Sequence, residues 1–263
     1  MNLSDRIHLQ IKTPVVVASG ISDPGLVRSE NENTICLDKE GQFILLADGM
    51  GGHEKGAEAS KTAVSVIRKY LHPDLIRSEL RDITNVDGVP PEIIGLSSLV
   101  DKGINKANEA IFERNQKEGL ELYMGTTLVG LVFLEGSIVV WFHVGDSRLY
   151  RWRDSALECL TRDHSAYNDW VRKGKQGEEP AKNIITRAVG PKEGVMPDIK
   201  WENYQKNDVY MVCSDGLSDM LTDEEISEVL NGRDDVDIMT NELINAAMAA
   251  GGKDNTSVVV CRV

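Results

Sequence analysis

One segment limits what this chain can fold into more than any other: Phe43-Ile44-Leu45-Leu46-Ala47-Asp48-Gly49-Met50-Gly51-Gly52-His53. Its apolar run has the length of a buried strand and is too short for a helix. It ends in a carboxylate, with glycine at 49, 51 and 52, where the missing Cβ permits positive φ and a close approach of backbone to something small. Taken alone, the stretch reads equally well as a glycine-rich turn with a solvated aspartate.

The arrangement recurs. Asp146 follows the apolar run ending at Val144-Gly145, Asp215 follows Val209 to Ser214, and Asp254 stands just before the closing run Thr256 to Val263. A single aspartate of this kind is a turn residue that hydrogen-bonds its own backbone. Four at the ends of apolar strands, brought together by stacked sheets, would repel one another by several kcal/mol at an intermediate dielectric. Such a cluster needs a cation. The donors are oxygens, without the His/Cys spacing of a zinc site or an EF-hand loop, and they suit Mg²⁺ or Mn²⁺. Two such ions about 3.5–4 Å apart activate water for in-line displacement at phosphorus. Arg28, in the loop Val27 to Asn33, is then a candidate for bidentate phosphate recognition. No phosphate-binding G-x-x-x-x-G-K-[ST] loop, G-x-G-x-x-G, H-E-x-x-H or G-x-S-x-G motif offers another chemistry. His53 and His164 read equally as proton-transfer groups or as structural residues.

Around these sites the pattern mixes strands and helices. Strands are expected at Pro14 to Ala18, Thr34 to Leu37, Gln42 to Ala47, Thr126 to Leu134, Ser137 to Val144, Arg148 to Trp152, Pro197 to Trp201, Val209 to Cys213 and Thr256 to Val263. Helical periodicity begins near Glu54 and stops at Pro73, and a long helix follows Pro90-Pro91. Thr222-Asp223-Glu224-Glu225 is a capping box, and another helix starts near Val236. Ser19 to Gly25 reads as a turn-rich loop, residues 78 to 91 as a polar linker, and residues 165 to 182 as polar chain without a readable period. With no repeat and no break in composition, the 263 residues read as one α+β domain over 1–263.

A net charge of −13 opposes nucleic acid or an acidic membrane as the main partner. No apolar run approaches the roughly 18 residues of a membrane-spanning helix, and Met1 to Lys12 lacks a signal peptide's apolar centre, so the expected location is cytoplasmic. Cys36, Cys159, Cys213 and Cys261 show no C-x-x-C spacing and are expected to be reduced core residues.

Seven stretches, in order, resemble the metal-dependent serine/threonine protein phosphatases of the PP2C type in their compact bacterial form. They are Val27-Arg28-Ser29-Glu30-Asn31-Glu32, Ala47 to His53, Gly125-Thr126-Thr127, His143 to Arg148, Leu160 to Ser165, Ser214 to Asp219 and Gly251 to Thr256. The resemblance implies a four-layer α-β-β-α sandwich of two antiparallel sheets flanked by helices, with a binuclear Mn²⁺ or Mg²⁺ centre. Carried over by position, Asp48 bridges two ions and the Gly49 carbonyl binds one; Asp215 and Asp254 complete the first site, and Glu32 holds the second through water. Asp146 with Asp215 matches a third, weaker metal position, and Arg28 binds the substrate phosphate. Metal-activated water then attacks phosphorus without a phosphoenzyme.

The implied substrate is a phosphoserine or phosphothreonine protein, with a cognate serine/threonine kinase elsewhere and the phosphatase acting as a monomer. A catalytically weakened phosphoprotein-binding domain and a small-molecule phosphoesterase are the rival readings. Three departures from the family pattern stand out. Asn33 replaces an aspartate and is expected to weaken the second metal site. Met50 stands where animal relatives carry a candidate general-acid histidine, so His53 does not inherit that role. The flap region at 165 to 182 is short and lacks a His-Pro, and it is expected to be mobile near the metal edge.

Overall fold

Strands that bury both faces need two sheets packed together with helices outside them, and the computed structural model, which describes residues 6–51, 55–79, 88–120 and 122–263, has this arrangement. The first half runs β1 (Ile7–Lys12), β2 (Val17–Asp23), β3 (Asn33–Leu37), β4 (Phe43–Met50), α1 (Lys55–Tyr70), α2 (Pro73–Glu79), α3 (Pro91–Glu118), β5 (Gly125–Thr126), β6 (Leu128–Leu134) and β7 (Ile138–Val144). The second half runs β8 (Arg148–Arg153), β9 (Ala156–Cys159), α4 (Ala166–Arg172), β10 (Asp198–Asn203), β11 (Val209–Cys213), α5 (Asp215–Ser218), α6 (Asp223–Leu230), α7 (Val236–Ala249) and β12 (Thr256–Arg262). One sheet has the order β1-β2-β12-β11-β8-β9; the other has β10-β7-β6-β4-β3, with β5 paired to the end of β4. The pairings within both are antiparallel.

Alternate facing along each strand, period two, sorts the core into three layers. Ile44, Leu46, Val129, Leu131 and Trp141 of one sheet meet Tyr210, Val212 and Val259 of the other between the sheets. Phe43, Leu45, Val132 and Phe142 face outward against Ala63, Ile67, Leu96 and Ile104 of α1 and α3. On the opposite outside, Met211, Cys213 and Val258 pack against Leu217, Met239 and Leu243 of α5 and α7. The result is the expected α-β-β-α sandwich. The capping box also forms: Thr222 Oγ1 accepts from Glu225 N–H while the Glu225 carboxylate accepts from Thr222 N–H.

Several sequence expectations change. The first predicted strand begins at Val17 rather than Pro14 and continues through the stretch read as a loop, to Asp23. Ser19, Gly20 and Ser22 have turn composition, yet β1 and β12 pair with β2 on both sides. Gly20 is needed there because a Cβ would lie 2.9 Å from Val259 Cγ2 on the neighbouring strand. The run predicted from Thr126 to Leu134 is interrupted at Thr127, and β1 and β9 were unforeseen. Pro73 opens α2, so the linker read from residue 78 begins inside a helix; residues 80–87 of it lie outside the described residues. The unassigned 165–182 stretch contains α4, whose N-terminus is capped by Ser165 Oγ accepting from Asn168 N–H. All four cysteines are free, but only Cys213 and Cys261 are core residues; Cys36 is half-buried and Cys159 exposed.

Leu131 is 1% exposed in the layer between the sheets, so Leu131→Ala should lower unfolding free energy by about 2–5 kcal/mol, read as a lower denaturant midpoint at unchanged m-value. A change under about 1 kcal/mol would show that this layer collapses around the deletion.

Candidate metal centre

At one end of the sandwich the inward-facing rows turn from apolar to polar. On β4, Ile44 and Leu46 face the other sheet, and the next inward position is Asp48. On β3, Ile35 is followed toward the same end by Asn33, the cross-strand partner of Asp48. On β12, Val259 gives way to Ser257. Asp215 opens α5 directly after β11, Asp146 lies in the turn between β7 and β8, and Asp254 and Glu32 precede β12 and β3.

The charges of these residues act on one another. Burial, reinforced by Asp215, Asp146 and Asp254, pushes the Asp48 carboxyl well above the usual carboxylate range, and a side-chain hydrogen bond joins it to Asp215. Burial and the Asp254 charge raise Asp215. Asp146 is pushed up to about 7, by burial first and then by Asp215 and Asp163. Glu32 is raised by burial, against the Gly56 N–H that its carboxylate accepts. The Arg28 guanidinium, mostly exposed, donates to Asp254 Oδ2 at 2.8 Å and feels Glu32 and Asp215. These interactions link Arg28, Glu32, Asp48, Asp146, Asp215 and Asp254 at one end of the sandwich, with Gly49 directly after Asp48.

Backbone and side-chain hydrogen bonds fix this cluster. Asp48 N–H donates to Thr127 Oγ1 at 3.0 Å, Asp48 O accepts from Thr126 Oγ1 at 2.8 Å, and Thr127 Oγ1 meets Ser147 Oγ at 2.7 Å, beside Asp146. The interruption between β5 and β6 is therefore where Thr127 serves the site. Glu32 Oε1 accepts from Gly56 N–H at 3.1 Å, where α1 begins. A Cβ on Gly49 would collide with the Gly56 carbonyl oxygen, and one on Gly56 would lie 2.5 Å from Glu32 Oε1. These glycines are required by a close approach of strand, helix start and carboxylate.

Asn255, to which the sequence assigns no role, joins three segments of the site. Its Oδ1 accepts from Glu32 N–H at 2.8 Å, and its Nδ2 donates to Pro24 O and Glu30 O at 2.9 and 2.7 Å. It ties the loop of Arg28 and Glu32 to Asp254, its own neighbour, more than 220 positions away. No local pattern could announce that.

Asn33 is buried beside Asp48 as its cross-strand partner. Its amide donates to Asn255 O at 3.2 Å and Ser257 Oγ at 3.1 Å, in the seam between the sheets. Through its Nδ2 it bridges β3 and the Asp254 loop. Its Oδ1 is buried and without a hydrogen-bond partner. His164 takes the structural branch of its two readings, because its ring is stacked on His143 with centroids 4.4 Å apart and both of its ring nitrogens face neighbouring groups. His53 lies outside the described residues.

The residues fit a hard divalent cation. The donors are carboxylate and carbonyl oxygens, their charges drive one another's pKa upward, and an orphaned acceptor oxygen sits on the residue paired with Asp48. A pH dependence follows. A carboxyl raised in the folded protein stabilises below its unfolded pKa of about 3.9, and that contribution is lost as pH rises through the folded value. For Asp146 the window ends at about 7. In chelator, thermal stability should therefore fall between about pH 4 and 7, and Asp146→Asn should flatten the slope. Unchanged slope in that variant would contradict the shift.

The comparisons agree with this geometry. Residues 32–249 match the family model described as protein phosphatase 2C. The serine/threonine phosphatase stp of Listeria monocytogenes is 30% identical over 247 residues, covering 91% of this chain and 92% of that protein. The structure of the S. agalactiae serine/threonine phosphatase superposes with a TM-score of 0.80 at 32% identity, covering 94% of this chain and 99% of that one. The catalytic domain of the serine/threonine protein phosphatase PstP, solved in complex with two manganese ions, gives a TM-score of 0.74 at 32% identity, covering 94% and 98%. With the family model matched over most of its length, this chain belongs to the protein phosphatase 2C family.

Proposed function

We propose that the chain is a single catalytic domain over 1–263 that hydrolyses phosphoserine and phosphothreonine in proteins, using Mn²⁺ or Mg²⁺. The observation that carries this reading is the mutual charge coupling of Asp48, Asp146, Asp215 and Asp254 around a buried strand end, with a guanidinium at its rim. In this assignment Asp48 would serve both ions and the Gly49 carbonyl one of them; Asp215 and Asp254 would complete the first site, Glu32 would hold the second through water, and Asp146 with Asp215 would hold a third, weaker ion. Such ions supply a low-pKa water and neutralise phosphoryl oxygens during in-line displacement.

The chain's own residues then divide the rest of the work. Arg28 is exposed and keeps further N–H donors beside the one given to Asp254, so it can grip two phosphate oxygens while its loop stays anchored. Thr127 and Asn255 hold the Asp48 and Glu32 backbones and so fix donor directions. The Glu32 carboxylate is oriented by Gly56 N–H. The related PstP catalytic domain is described with two manganese ions, which supports the same ion here. Serine/threonine phosphatase relatives support a phosphoprotein substrate, and with it a cognate kinase. No helix among the described residues is long and apolar enough to cross a membrane; we place the enzyme in the cytoplasm, as a monomer.

Asp215→Ala should lower Mn²⁺-dependent hydrolysis of a phosphothreonine peptide by more than about 100-fold, since lesions even one shell further out cost 10–100-fold. Without metal the variant should melt no lower than the parent, because it relieves repulsion. Full activity would remove Asp215 from the site. Comparing kcat/KM for phosphopeptides with that for sugar and nucleotide phosphates tests the substrate class; a preference for the small molecules would overturn the protein-phosphatase reading.

Arg28→Ala should raise KM for a phosphopeptide at least about tenfold with Mn²⁺ binding intact, the loss of a charge-assisted contact worth about 1.5–3 kcal/mol. An unchanged KM would remove Arg28 from phosphate recognition.

A further inference from the structure

Among the described residues, His143, His164 and Asp198 form a second group, whose ligand-type atoms lie within 4.8 Å of one another. It resembles a metal site, but its cation is already present in the chain. Arg187 places one guanidinium nitrogen 2.8 Å from Asp198 Oδ1, 2.9 Å from Met196 O and 3.0 Å from His164 Nε2. An incoming ion would have to displace that charge. The group therefore has another use, and the hydrogen bonds of His164 show what it is.

His164 holds the Gly145-Asp146 turn twice. Gly145 N–H donates to His164 Nδ1 at 3.0 Å, and His164 N–H donates to Gly145 O at 2.8 Å. Gly145 adopts φ +105°, a conformation that side-chain-bearing residues rarely hold, and a Cβ there would press on Thr127. Both polar groups of this unusual residue are thus occupied by one histidine, one position before Asp146. From the other side, His164 O accepts from Thr186 N–H, and Ala166 N–H donates to Ile184 O. Those bonds close the base of the segment that contains α4.

The ring must be neutral for this. Nδ1 accepts from Gly145 N–H only through a free lone pair, which a doubly protonated ring does not have. An imidazolium would turn a donor against Gly145 N–H and set a second cation against Arg187. Burial, His143 and the Arg187 guanidinium all disfavour it, and they hold the His164 pKa down to about 4.

We propose that His164 is the positioning residue for Asp146: it locks the Gly145-Asp146 turn in the orientation the weakest-bound ion requires and ties that turn to the base of the 166–187 segment. The inference rests on the assignment of Asp146 to the metal centre made above. Asp146 has Asp215 and Asp163 among the charges acting on it, so a turn left free would swing toward solvent to relieve the repulsion. A bond at each of Gly145 N and O prevents this.

The test is Mn²⁺ binding to metal-stripped protein, counted from the paramagnetic resonance of free Mn²⁺, with unfolding curves to confirm the fold. In His164→Ala the weakest ion should bind at least about tenfold less tightly, the usual cost of losing a supporting contact, while the tighter ions are unchanged. In His164→Asn, whose Oδ1 stands near the position of Nδ1, affinity should return to within about threefold of the parent. In His164→Gln, whose acceptor is one methylene further out, it should not. Should the alanine variant not fold, the asparagine and glutamine pair decides the matter by the same contrast. Parental binding in folded His164→Ala, or equal rescue by Asn and Gln, would overturn the proposal. Asp146→Asn is the control for the assignment beneath it. Loss of the weakest ion there with none in His164→Ala defeats only the role of His164. Undiminished binding in Asp146→Asn defeats the assignment of Asp146, and this inference with it.

Discussion

Repulsion among buried carboxylates is the constraint on which the rest of the structure depends. Asp48 faces Asp215, Asp146 and Asp254 at the end of an apolar strand, where burial already opposes its ionisation. A chain would shed such an arrangement unless something of opposite charge repaid it. The fold is organised to keep the arrangement in place: both sheets stay apolar between their faces up to Leu46, Ile35 and Val259, then turn polar together. Four carboxylates near the surface would spread into water. Set on rigid strands and short turns, they cannot.

Rigidity comes from neutral groups rather than from ion pairs. Thr126 and Thr127 take up the Asp48 backbone, Asn255 takes up the Glu32 and Glu30 backbones, and His164 takes up both polar groups of Gly145. None of these contacts adds charge, so none competes for the cation. The Arg148–Asp163 fork, with bonds of 2.9 and 2.8 Å, lies just outside and compensates a carboxylate that also acts on Asp146. Arg28 is the exception, since it spends one nitrogen on Asp254. In the role proposed for Arg28, a phosphate at that rim would meet a guanidinium already pointed by its partner.

How much of this could be read from the chain depends on the range of the interaction. Strand and helix identities followed from periodicity, and the Asp residues at strand ends announced themselves because Gly and an apolar run flank each of them. The family resemblance then supplied the division of those residues among ions. What escaped was non-local. Ser19 to Asp23 has the composition of a loop, and only pairing with β1 and β12 makes it a strand. The place of Asn33 in its motif does not reveal that its amide is drawn to Asn255 O and Ser257 Oγ across the seam. Asn255 itself carries no sequence signal beyond its neighbour.

The acidity of the chain sharpens the role of the cation. At −13, the protein repels a phosphate dianion at long range, and the cluster that is to receive it is the most acidic place considered above. Arg28 alone cannot invert that field, because one of its nitrogens already serves Asp254. Positive charge held among the aspartates would do so locally, since bound ions are the largest charges in such a site and reverse its electrostatic preference. Substrate binding and ion binding are on this argument a single electrostatic event. On the assignment proposed for Asp146, the turn that carries it would bear on phosphate affinity as well as on metal retention, and the two bonds between Gly145 and His164 would act on both.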